Sequence, residues 1–60
     1  MTTEQSEIYD RQRLCGFEYD WTDADGRIVL SRWNNTGEAR WRTGQIIIDL
    51  DGGVSAYSDA

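Results

Sequence analysis

The chain of 60 residues contains no histidine, no lysine and no proline, and its one cysteine is Cys15. A single thiol excludes an intrachain disulfide, and without histidine a structural zinc site lacks most of its usual ligands. The same shortage leaves Cys15 without a histidine or lysine to lower its pKa, so nucleophilic catalysis is not expected. No stretch approaches the roughly 18 consecutive apolar residues of a membrane-spanning helix. The segment Met1-Thr2-Thr3-Glu4-Gln5-Ser6-Glu7 is polar and acidic, whereas a secretory signal begins basic and turns apolar. A lone cysteine agrees with a reducing compartment, and a cytoplasmic location is expected. No cofactor, membrane contact or small-molecule substrate is expected.

Length limits the chain to a single domain over residues 1–60, near the lower bound for independent folding. With 38% hydrophobic residues the core must be thin, and the dense side chains available to it are aromatic: Phe17, Tyr9, Tyr19, Tyr57, Trp21, Trp33 and Trp41. Thr2 and Gln5 have the spacing of a capping box, and Gly16 stands where a helix would stop. Residues 1–14 are therefore expected as a short helix or a flexible arm, although their apolar stripe is poor.

From Cys15 the period becomes two. Cys15, Phe17, Tyr19 and Trp21 alternate with Gly16, Glu18, Asp20 and Thr22, the pattern of a half-buried strand. Asp23-Ala24-Asp25-Gly26, Asn34-Asn35-Thr36-Gly37 and Asp51-Gly52-Gly53 are turns, since glycine accepts positive φ and Asp bonds its own local backbone. Between them lie Arg27–Trp33, Glu38–Thr43 and the β-branched Ile46-Ile47-Ile48 run, with Val54–Tyr57 last. Residues 15–58 are expected to form an antiparallel meander of four to five short strands. The fold class is mainly β, or α+β if the N-terminal helix forms. Parity puts Cys15, Trp21 and Trp41 inward and leaves Trp33 undecided.

The Asp-x-Asp-Gly segments do not satisfy a calcium loop. Aligning Gly26 with that loop's invariant glycine places Trp21 at its first ligand position and Arg32 at its last, so no metal site is expected. Paired carboxylates need a cleft that encloses substrate, and a sheet of this size has none to offer. No catalytic residue is assigned.

Charge carries the most information. Residues 1–26 sum to −5, residues 27–48 to +3 and residues 49–60 to −3, giving the net −5. Glu18 and Asp20 share the outward parity about 6.6 Å apart along the strand, and Asp23 and Asp25 extend the row into the turn. Glu4, Glu7 and Asp10 are placed to support it. Such a row either keeps a small domain soluble or docks a basic protein surface, imitating the spacing of phosphates.

In size, acidity and missing catalytic groups, the chain resembles small phage-encoded inhibitors of bacterial defence, anti-CRISPR proteins in particular. The Glu18–Asp25 row is the local feature that carries the resemblance. Several such inhibitors are DNA mimics that occupy the nucleic-acid channel of a Cas effector. The resemblance therefore implies an acidic inhibitor, a Cas effector subunit as partner, and the host bacterial cytoplasm as location. A nucleic-acid-binding hairpin is the alternative: Arg32, Trp33, Arg40, Trp41 and Arg42 mix cations with stacking surfaces, against an unfavourable net charge. A small structural subunit of a larger assembly is the third.

Overall fold

Thr2 caps a helix. Its hydroxyl accepts the Gln5 backbone N–H at 3.1 Å while the Gln5 Oε1 accepts the Thr2 N–H at 2.9 Å, a reciprocal capping box. The structure, a computed structural model, describes residues 1–56. Helix α1 runs Thr3–Leu14 and stops at Gly16, whose φ of +95° only glycine adopts readily. Four strands follow: β1 Glu18–Thr22, β2 Ile28–Asn35, β3 Arg40–Ile48 and β4 Val54–Ala56. They form one open antiparallel sheet in the order β1-β2-β3-β4. The expected meander and helix are both present, and the fold is α+β. Tyr57, expected to end the last strand, and Asp59 lie outside the described residues.

Helix α1 covers one face of this sheet. Ile28, Leu30 and Ile48 form the core there, with Ile8, Tyr9, Phe17 and Ile46 packed against them. The helix has no continuous apolar stripe, so a polar residue fixes its position. Gln5, 1% exposed, donates from Nε2 to the carbonyls of Gly26 at 2.8 Å and Ile48 at 3.2 Å. Those carbonyls flank the start of β2 and the end of β3, so one amide ties the helix to both central strands. The Thr2 hydroxyl adds a bond to the Leu50 carbonyl at 2.7 Å. Close approach at this end also needs Gly52, where an added Cβ would sit 3.2 Å from the Glu4 Cβ at a φ of +88°.

Three inward expectations are corrected. Cys15 is exposed, because the helix cap occupies it and the strand begins only at Glu18. Trp41 is 43% exposed, on a part of the β2–β3 hairpin that extends past β1. Trp21 is half-buried, and it faces away from the helix. The register shows why: Tyr19 pairs with Leu30 and Trp21 with the adjacent Val29, so a bulge at Asp20 turns Trp21 onto the opposite face. The core is aliphatic.

Removing the Gln5 amide takes a donor from one buried and one part-buried carbonyl and opens one half of the capping box, each a loss of order ~1 kcal/mol. Gln5→Ala is expected to lower unfolding free energy by about 2–3 kcal/mol in urea titration. Glu7→Ala, on the exposed side of α1, is expected to stay within about 0.5 kcal/mol. Equal effects would contradict the anchoring role.

Candidate binding face

No element packs on the second face of the sheet among the described residues. Two bulges decide which side chains reach it. The first, at Asp20, places Glu18 opposite Ser31 and Trp21 opposite Val29. The second, after Arg32, pairs Arg32 with Gly44 but Trp33 with Arg42, skipping Thr43. The face therefore carries Glu18, Asp20 and Trp21 from β1, Val29, Ser31 and Trp33 from β2, and Arg40, Arg42, Gln45 and Ile47 from β3.

This face covers itself. Val29 and Ser31 are both 0% exposed although nothing lies above them but neighbouring side chains. Asp20 is the hub of its polar half. One carboxylate oxygen accepts the Ser31 hydroxyl at 2.6 Å, the Gln45 amide at 3.3 Å and the Arg42 guanidinium at 3.4 Å. Gln45 also donates to the Ser31 hydroxyl at 3.0 Å, which closes the network. Toward the hairpin tip, Glu18 pairs with Arg40 at 3.2 Å. Both ion pairs reach from β1 to β3 across β2.

The Trp33 ring lies against both of those arginines. The Arg40 guanidinium carbon is 4.5 Å from the Trp33 ring centroid and that of Arg42 is 4.8 Å away. Each such contact contributes about 0.5–1 kcal/mol at an exposed site. The carboxylates, the arginines and the ring thus hold one another in place.

The acidic row is corrected by these contacts. Glu18 and Asp20 pair with Arg40 and Arg42, while Asp23 and Asp25 pair with Arg27 at 3.8 and 3.3 Å. Arg27 also holds Asp49 at 3.1 Å. Its guanidinium sits among three carboxylates where a cation would otherwise be needed. Asp23 serves its turn besides, accepting the backbone N–H groups of Asp25 and Arg27 at 2.9 Å each. The row is no bare phosphate-like track, because antiparallel pairing brings the basic middle of the chain beside its acidic start. Glu4, Glu7 and Asp10 are exposed on α1 and make no ion pair with an arginine among the described residues.

The alternative cationic set is divided. Trp33, Arg40 and Arg42 are together, but Arg32 turns to the helix side, 4.5 Å over the Phe17 ring and donating to the Cys15 carbonyl at 2.7 Å. Sequence reasoning missed Trp21, Ser31 and Gln45 as members of this face. The alternation Phe17-Glu18-Tyr19-Asp20-Trp21 runs unbroken through the first bulge and gave no signal of it.

Among the described residues, no group of three or more Cys, Asp or Glu side chains is placed to hold a metal ion. No helix is long and apolar enough to cross a membrane. An open concavity at the hairpin tip is lined by Asn35, Gly37, Glu38, Ala39 and Arg40 and encloses nothing. Comparison with protein-family models, curated proteins and solved structures finds no match to this chain.

The network predicts unequal carboxylates. Asp20→Ala removes a half-buried acceptor of three bonds and is expected to cost about 1–3 kcal/mol in chemical denaturation. Asp25→Ala removes an exposed ion pair and is expected to cost under about 0.5 kcal/mol. A cost at Asp20 no larger than at Asp25 would mean that the network does not form.

Proposed function

We propose that this chain is a protein-binding module without catalytic activity, and that it docks through the uncovered face of its sheet. The Trp33 ring against Arg40 and Arg42 carries the proposal. Tryptophan and arginine dominate binding hot spots, and a hot spot is strongest when its side chains are ordered beforehand. Here the arginines are already anchored by Glu18 and Asp20, so little side-chain entropy remains to be lost on docking.

The same anchoring argues against nucleic acid as the ligand. A phosphate would have to approach each arginine beside a carboxylate that repels it, and a net charge of −5 opposes a polyanion at long range. The four charges of the face, two carboxylates and two guanidinium groups, cancel. A neutral, aromatic, hydrogen-bonded surface is the chemistry of a protein interface.

A second reading is favoured by the outer side of α1. Glu4, Glu7 and Asp10 retain their charge uncompensated by arginine, so an electrostatic decoy for a basic protein surface, the inhibitory role implied by the resemblance to DNA-mimicking inhibitors, would work from there.

In-cell photo-crosslinking distinguishes the readings. A benzoylphenylalanine at Asn35, exposed on the parity of Trp33, is expected to give protein adducts, and one at Glu7 is not. Adducts only from position 7 would transfer function to the helix. Adducts to nucleic acid from position 35 would overturn both readings.

A further inference from the structure

The sheet face away from α1, on which no element packs among the described residues, is arranged as three parallel strips. Carboxylates stand on β1 (Glu18, Asp20), an aromatic ring on β2 (Trp33) and guanidinium groups on β3 (Arg40, Arg42). At the opposite end of the same strands, Trp21, Val29 and Ile47 lie side by side in register. Charge is thus ordered across the strands, and polarity along them.

We propose that the occupant of this face is a second copy of the same chain, related by a two-fold axis parallel to β2. This rests on the protein-binding reading and names its partner. Such an axis keeps height along the strands and exchanges left for right. It lays β1 of one copy over β3 of the other, with β2 over β2. Negative strip meets positive strip on both sides, Trp33 approaches Trp33, and the apolar ends meet, with Trp21 facing Ile47 of the second copy. The other in-plane two-fold, perpendicular to the strands, would set β1 on β1 and carboxylate on carboxylate. The face is self-complementary in one orientation only, as an isologous interface requires.

Three observations favour a second copy over an added strand or an unlike chain. The free edges are defended: β1 is bulged and carries Glu18 and Asp20, and β4 has three residues. Among the described residues the charges of the face cancel, so the excess negative charge that they carry lies elsewhere. Glu4, Glu7 and Asp10 are on the helix, behind the opposite face, where salt screens their repulsion within about 8–10 Å. Finally, a core whose fully buried aliphatic side chains are Val29, Leu30 and Ile48 is thin for an isolated domain, and dimerisation is a common remedy at this size.

Sedimentation velocity of the full chain, from low micromolar concentration to roughly 1 mM, tests this. A shift from monomer to dimer is expected, with Trp33→Ala raising the dissociation constant by about thirtyfold, the loss typical of a hot spot. The axis is tested by exchanging the most exposed charge pair in the double variant Glu18→Arg with Arg40→Glu. That variant keeps an internal ion pair and its self-complementarity but exchanges the guanidinium over Trp33 for a carboxylate, so it is expected to dimerise with itself, more weakly than the parent. Mixed with the parent it places like charges over one another, and heterodimers are expected to be about tenfold weaker than either homodimer. Energy transfer between dyes on the exposed Cys15 reads the mixture. Circular dichroism confirms that each variant folds.

Heterodimers as strong as homodimers, or stronger, would overturn the proposed axis. A chain that stays monomeric throughout would overturn self-association. In that case Asn35 adducts to a different protein would still support the binding reading, and their absence would remove it as well.

Discussion

A sheet has two faces, and the described residues supply a single helix, which covers one of them. That constraint organises the rest of the structure. On the helix side the usual solution applies: aliphatic side chains of β2 and β3 pack under α1, with Gln5 fixing the helix through two strand carbonyls. On the other side no element packs among the described residues, where side chains shield the backbone and Val29 from water. Long, flat groups do this best. Trp21, Trp33, Arg42 and Gln45 lie over the sheet, and the charges among them are matched by carboxylates from β1.

The electrostatic pattern follows from topology. Along the sequence the signs are segregated, an acidic first part and a basic middle. In an antiparallel meander, consecutive strands lie side by side, so segregation in sequence becomes apposition in space. Arg27 gathers Asp23, Asp25 and Asp49, while Arg40 and Arg42 reach Glu18 and Asp20. Each pair is exposed enough to contribute at most about 1 kcal/mol alone. Their larger effect is to order the arginines beside Trp33 and to leave the uncovered face neutral on a strongly acidic protein. On the proposed binding reading, shape and aromatic contact would set the chemistry of that face, with charge supplying orientation.

Much of the fold was legible in the residues. Capping at Thr2 and Gln5, the stop at Gly16, and turns at Asp23–Gly26 and Asp51–Gly53 follow from local backbone chemistry, and local chemistry won at each. Side-chain direction was less legible, because a strict period of two fails at a bulge. The extra residues Asp20 in β1 and Thr43 in β3 turned Trp21, Arg40 and Arg42 onto the face that carries Trp33 and the carboxylates. They also separated Arg32 from the other arginines. Pairing across strands was invisible for a related reason: reading charge along one strand cannot show that an arginine twenty-two residues away in sequence reaches over the intervening strand. The acidic row was therefore correctly located along the chain, but its compensation was not.

The account turns on Trp33 lying against two anchored guanidinium groups, and proton NMR observes this directly. Ring current from the indole is expected to shift the side-chain protons of Arg40 and Arg42 upfield, with cross-peaks from both to the Trp33 ring. Arg11, exposed on the helix, should show ordinary arginine shifts. Ordinary shifts at Arg40 and Arg42, without contacts to the ring, would mean that the face is not preorganised, and the binding surface argued from it would not exist.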